Sequence, residues 1–396
     1  MKILFVKERL AWPRSSGHDV HTYYSMQAIA RSGHAVGLVT LHELEQKAIE
    51  QSGVDKIYCL KTHPSTHNDQ DNTRVQLTKT QERFRSYWGI EHTNILKVGQ
   101  IAADFQADAV IVVGLNVLPY LGAVHQAIRI WYAGDEWVWH HLSQVQILNP
   151  ASWNELKQAV IKGLYERAYA KMLDRVWMVT EADARAMRRV TGISEVDVLP
   201  NGVDTDYYQP IQTEEIPRSC VFWGRLDFGP NIQALQWFCR NVWSKLQSEF
   251  PDAKFSIYGF QPTSPVERLI TEYRGITLKG NLPDIRSEIA KHQVVVLPFI
   301  SGGGIKNKLL EASALGKAIL CTPRTVKGLS QGASIVSTSK PLQWSEALKS
   351  LWRDDDLRRK MGKAARAWVL KEHTWDSVAA TAIAGIEKSL GAKAAG

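Results

Sequence analysis

The stretch Val294-Val295-Val296-Leu297-Pro298-Phe299-Ile300-Ser301-Gly302-Gly303-Gly304-Ile305-Lys306-Asn307-Lys308-Leu309-Leu310-Glu311-Ala312 changes character twice. Its opening apolar run predicts a buried strand, the three glycines a tight turn, and residues 306–315 a helix. Backbone N–H groups at the start of such a helix attract an anion, and glycines let it approach with no Cβ in the way. Lys306 and Lys308 are close enough to add direct charge to a diphosphate, and Glu311, on the first or second helical turn, can accept hydrogen bonds from hydroxyl groups.

Around this stretch, apolar runs alternate with helical segments. In the later half, strands are expected at 219–223, 254–258, 276–278, 294–297 and 317–321, with helices at 231–249, 265–273, 284–291, 344–353 and 358–372, and a final alanine-rich helix at 374–390. The earlier half reads the same way, with strands at 2–6, 35–40, 109–113, 128–132 and 176–180 and a first helix over 20–31. Residues 62–94, polar and then helix-like, form an excursion from this pattern. Apolar periodicity stops after Leu199, and Pro200, Gly202, Pro210 and Pro217 mark a hinge. The expectation is an α/β protein of two parallel-sheet domains, with ligands bound in a cleft at the carboxyl ends of the strands. Its parts are residues 1–200, a hinge at 201–217, residues 218–373, and a C-terminal helix at 374–396 packed back on the first domain.

Length and composition agree. At roughly 150 residues per domain, 396 residues suit two or three domains, and 44% hydrophobic with 22% charged residues excludes a disordered or fibrous chain. No apolar run approaches the roughly 18 residues of a membrane span, and the opening apolar run is too short for a signal peptide, so a cytoplasmic protein is expected. Cys59, Cys220, Cys239 and Cys321 are scattered singly and read as free thiols, with no metal site expected. Residues 1–200 carry 22 basic and 21 acidic side chains, against 26 and 19 in 201–396, so the excess positive charge lies in the later half. That half is expected to handle anions; no aromatic-basic module supports nucleic acid as the partner.

Arg225 follows the strand at 219–223 in Gly224-Arg225-Leu226-Asp227, where an always-charged guanidinium suits a phosphate. Asp135 and Glu136 follow the strand at 128–132 and can orient an acceptor hydroxyl; His18, beside Gly17, and His140-His141 are further polar candidates. Trp12, Trp137 and Trp139 offer indole faces on which a ligand could stack. Residues 153–174 form a charged amphipathic helix whose basic residues, Lys157, Lys162, Arg167 and Lys171, with Arg175 just beyond, read as a solvated face able to rest on anionic lipid.

The succession Asn201-Gly202-Val203-Asp204, Gly224-Arg225-Leu226, Gly302-Gly303-Gly304 through Lys308 to Glu311-Ala312, and Gly316-Lys317 resembles the family 4 glycosyltransferases of the GT-B fold, in particular a bacterial subgroup with a glycine triplet before the lysine and glutamate. Residues 179–185 and Trp375-Asp376 fit as well. The resemblance implies retaining transfer of a sugar from a nucleotide-diphosphate donor, without an essential metal or a further cofactor. The acceptor implied is a glycan or lipid-linked glycan in cell-surface polysaccharide synthesis, with peripheral contact at the inner membrane face. Arg225 and Lys308 or Lys306 would neutralise the leaving diphosphate, Glu311 would hold the ribose or sugar, and Gly17 would let the first domain approach the donor or acceptor. Two departures stand out: Gly303 replaces the first of two glutamates that many members carry, and no lysine follows Arg225 within residues 227–231. These departures leave open a degenerate module that binds a nucleotide or glycan without catalysis.

Overall fold

Thirteen strands among the described residues assemble into two parallel sheets. The computed structural model describes residues 1–11, 17–62, 75–134, 136–142, 145, 153–280, 282, 284–301, 307–327, 329 and 335–395. The chain divides into two units, Met1–Pro200 with Trp375–Gly396, and Asn201–Thr374.

The first unit holds β1 (Lys2–Val6), β2 (Ala35–Thr40), β3 (Lys56–Cys59), β4 (Ala109–Val113), β5 (Ile128–Gly134), β6 (Arg175–Met178) and β7 (Val196–Val198), in the spatial order β3-β2-β1-β4-β5-β6-β7. Every neighbouring pair is parallel. β4 is buried at all five positions, as a strand covered by helices on both faces must be. The last helix, Trp375–Ala395, packs on the first, Gly17–Arg31, and on β5 and β7. Trp375 stacks on Tyr24 with ring centroids 5.0 Å apart, and Ala379, Ala382 and Gly385 keep the contacting face narrow. Ion pairs pin the helix along its length, Asp376 with Arg31 at 2.8 Å, Lys388 with Glu195 at 2.9 Å and Lys393 with Asp174 at 3.2 Å.

The second unit holds β8 (Ile216–Trp223), β9 (Lys254–Tyr258), β10 (Ile276–Lys279), β11 (His292–Leu297), β12 (Ala318–Cys321) and β13 (Val336–Ser337), in the order β10-β9-β8-β11-β12-β13. β8 begins inside the stretch expected to be a hinge, because the Ile216 amide bonds to the Lys291 carbonyl and starts the pairing with β11 early. Strand order runs outward in opposite directions from β8 and β11. This is the topological switch point, where the connecting loops diverge and leave a crevice at the strands' carboxyl ends. All six residues of β11 are buried.

Two expectations are corrected, the fully solvated basic face and the place of Gly17. Lys162 and Arg175 are buried rather than solvated. Lys162 donates to Asn116 at 2.8 Å and lies 4.6 Å from the Trp88 ring centre, while Arg175 is held by Glu195 at 2.8 Å and Asp197 at 3.0 Å. Gly17 opens the first helix instead of lying in the loop before it. The cysteines are all free, three of them buried.

Candidate functional site

The turn leaving β8 and the helix that follows β11 bring Gly224, Lys308 and Glu311 together. Beyond β8 the chain turns at Gly224, whose φ of +139° lies where residues with a Cβ are strained. A Cβ there would stand 2.5 Å from Cε and 2.6 Å from Nζ of Lys308, so the lysine side chain passes directly over this glycine. Gly259, at the end of β9, is needed for a similar reason: its Cβ would fall 2.0 Å from the Gly224 carbonyl oxygen.

Lys308 belongs to the helix Asn307–Ala314, and its ammonium lies 5.6 Å from the ring centres of both Phe222 and Phe299. Its polar partner is Asn231, only 2% exposed near the start of the helix Gly229–Phe238, at 3.4 Å. The other end of the same amide donates to the Arg225 carbonyl at 2.6 Å. Asn231 therefore ties the arginine's backbone to the lysine's charge. Burial pulls the Lys308 pKa below its ordinary value, and the nearby Glu311 carboxylate partly restores it. Glu311 accepts a hydrogen bond from the Trp223 indole at 2.9 Å and another from Tyr208. Burial raises its pKa, against those two bonds and the charge of Lys308.

Arg225 differs. Its side chain is 60% exposed, with Nε and Nη2 donating to the two Asp227 oxygens at 3.1 and 2.7 Å. Asn201 donates to Asn307 at 2.7 Å, tying the start of this unit to the first residue of the Lys308 helix. Gly302, Gly303, Gly304 and Lys306 lie outside the described residues.

In the first unit the order reverses between β1 and β4. Lys7, just past β1, pairs with Asp19 on the first helix at 3.5 Å, both nearly buried. His18 lies against Gly134, where a Cβ would come 2.6 Å from its Nε2. Burial, reinforced by the Lys7 charge, lowers the His18 pKa to about 4, so its ring is neutral at pH 7. Asp135, the next residue after Gly134, is outside the described residues. Glu136 is buried and accepts the Val138 and Trp139 amides at 3.1 and 2.7 Å, so it caps the following turn. Among the described residues, no group of three His, Cys, Asp or Glu is placed to hold a metal.

Asn231, Trp223 and Lys7 were not singled out as site residues from the sequence. A turn composition Phe228-Gly229-Pro230-Asn231 directly after Arg225 is the one signal that pointed near the first of them.

Comparison with known proteins gives two family matches. The model described as "Glycosyltransferase Family 4" matches residues 15–207, and that described as "Glycosyl transferases group 1" matches residues 217–354. No curated protein matches the chain. Among solved structures, TarM of S. aureus, in a complex with UDP and other ligands, is similar with TM-score 0.66 and 10% identity over 97% of this chain and 99% of that one. Sucrose-phosphate synthase from Thermosynechococcus elongatus gives 0.66 and 14% over 99% of each chain. HepE of Anabaena, in complex with UDP-glucose, gives 0.61 and 14% over 99% of this chain and all of that one. At these identities the structures establish the fold, and the two matched families carry the activity. The chain is a nucleotide-sugar glycosyltransferase of the GT-B fold.

Proposed function

We propose that this enzyme transfers a sugar, with retention, from a nucleotide-diphosphate donor to a hydroxyl of a glycan or glycolipid in cell-surface polysaccharide synthesis in the cytoplasm, without an essential metal. The observation that carries this reading is the switch point of the second sheet, where Lys308 lies over Gly224 with Asn231 and Glu311 around it. In the transfer, the bond from the anomeric carbon to the diphosphate oxygen breaks and one to the acceptor oxygen forms, while negative charge builds on the departing diphosphate. Preorganised cations at that oxygen lower the barrier because they need no reorientation as charge develops. Lys308 supplies one such cation, and Lys306 is a second source. Arg225 supplies another by exchanging its solvent-exposed Asp227 partner for phosphate oxygens. An ion pair open to solvent holds its partner weakly, so the exchange is cheap.

Glu311, fixed by the Trp223 indole, is suited to accept from donor hydroxyls. On the acceptor side, a neutral His18 beside Gly134 can accept a hydrogen bond from the attacking hydroxyl, whose proton passes to the departing diphosphate oxygen. That UDP and UDP-glucose are bound in the complexes of TarM and HepE makes UDP the first donor fragment to try. Arg225→Ala and Lys308→Ala should each cut turnover of a cognate nucleotide sugar by at least about 100-fold, the scale for losing one transition-state donor. Both should retain wild-type circular dichroism. Wild-type rates in both variants would refute the donor-site assignment. Calorimetric donor binding with no nucleotide release in any sugar screen would favour a binding module instead.

A further inference from the structure

The helix Trp153–Tyr169 carries apolar side chains on two faces, one of them buried through Ala159, Tyr165 and Tyr169. Its buried residues include Lys162 and Glu166, while Trp153, Leu156, Val160 and Leu164 are 60, 44, 54 and 57% exposed. At 3.6 residues per turn these four side chains fall within an arc of about 80°, so they form one continuous stripe. A soluble helix ordinarily turns its apolar residues to the core alone. Burial of Lys162 and Glu166 has a visible local cause for the lysine, in Asn116 and the Trp88 ring; the exposed stripe has none within the described residues.

We infer that this stripe is a docking face for an anionic lipid surface. Charge identifies the occupant. The charged side chains exposed on this helix are Lys157, about 20° outside the stripe, and Arg167, in line with it one turn past Leu164, and no acidic residue of the helix is exposed. Basic residues flanking apolar ones suit insertion of the apolar chains below phosphate headgroups, with ammonium and guanidinium groups held at the headgroup level. Trp153 adds an indole of the type that favours the interface between water and hydrocarbon. This inference stands apart from the donor-site reading, because none of these residues touches the candidate site described above.

The test is co-flotation of the full-length protein with vesicles of phosphatidylcholine containing about one-third phosphatidylglycerol, against pure phosphatidylcholine, at low and high salt. Wild type should float with the anionic vesicles at low salt, and less with added salt or without phosphatidylglycerol. Leu156→Ser/Leu164→Ser and Lys157→Glu/Arg167→Glu should each lower the partition coefficient at least ten-fold. Circular dichroism and UDP binding should be unchanged in both, since all four positions are exposed. Absence of flotation with anionic vesicles, or wild-type partition in either double variant, overturns the inference. So does a wild-type dimer that becomes monomeric in the serine variant without vesicle binding, which would make the face a contact between copies of this chain.

Discussion

Asp227 occupies both donor nitrogens of Arg225 that a phosphate would use, and it does so in solvent. Removing it costs the fold little and frees the guanidinium. Asp227→Ala should therefore tighten UDP binding by about two- to five-fold, the equivalent of an exposed ion pair, measured by calorimetry at low salt. Weaker binding would mean that the carboxylate orients the arginine rather than competing for it. Lys308 makes a second prediction. Affinity for a diphosphate depends on its charged form and falls as pH rises through its pKa, which burial places below the ordinary lysine value. UDP affinity should decline at an unusually low alkaline pH. Glu311 raises the Lys308 pKa, so Glu311→Gln should move that decline to lower pH still. An unshifted limb would show that the two groups are not coupled.

At the scale of elements, the long apolar runs were legible and the short mixed ones were not. The segments that became β4 and β11 are apolar or buried throughout and can only be central strands. Lys56–Cys59, Val196–Val198 and Val336–Ser337 were missed, since each is two to four residues long and takes its identity from the neighbouring strand. The candidate site divides along the same line. Gly224, Arg225, Lys308 and Glu311 stand out because glycines and charges beside strand ends are local signals. Asn231 and Trp223 acquire meaning only through partners 77 and 88 residues away in sequence. Lys162 misled for the converse reason, since its partner Asn116 lies 46 residues off. The first helix carries a prediction of its own. His21, fully enclosed, stacks on Tyr132 at 4.7 Å and bonds the Leu199 carbonyl at 3.3 Å; burial takes its pKa from 6.5 to about 4, as for His18. Unfolding lets both rings protonate near pH 6.5. Their contribution is thus complete above that pH and is lost as pH falls through about 4, at about 1.4 kcal/mol per pH unit for each. Thermal melts from pH 7 to 4 should show this loss, and His21→Gln should flatten it; an equal slope in the variant would place the acid sensitivity elsewhere.

At the scale of the whole molecule, the two units are unequal in how they use the sequence. Asn201–Thr374 is one continuous segment, whereas the first unit needs Trp375–Gly396 as well as Met1–Pro200. A chain ending at Thr374 should lose the Trp375 contacts with Tyr24 and His21 and the three ion pairs of that helix. Calorimetry should then show the transition of the first unit lowered by at least about 10 °C, on the scale of a few kcal/mol in a domain of this size, with the second nearly unmoved. Equal lowering of both would mean that the helix serves each unit alike. The same arrangement orders events during synthesis. The segment first off the ribosome must wait, with the groove for its closing helix uncovered, until everything downstream has been translated. The second unit, whose residues all precede the closing helix, can mature while the first is still a nascent intermediate, so chaperones would find their longest-lived target in the first unit.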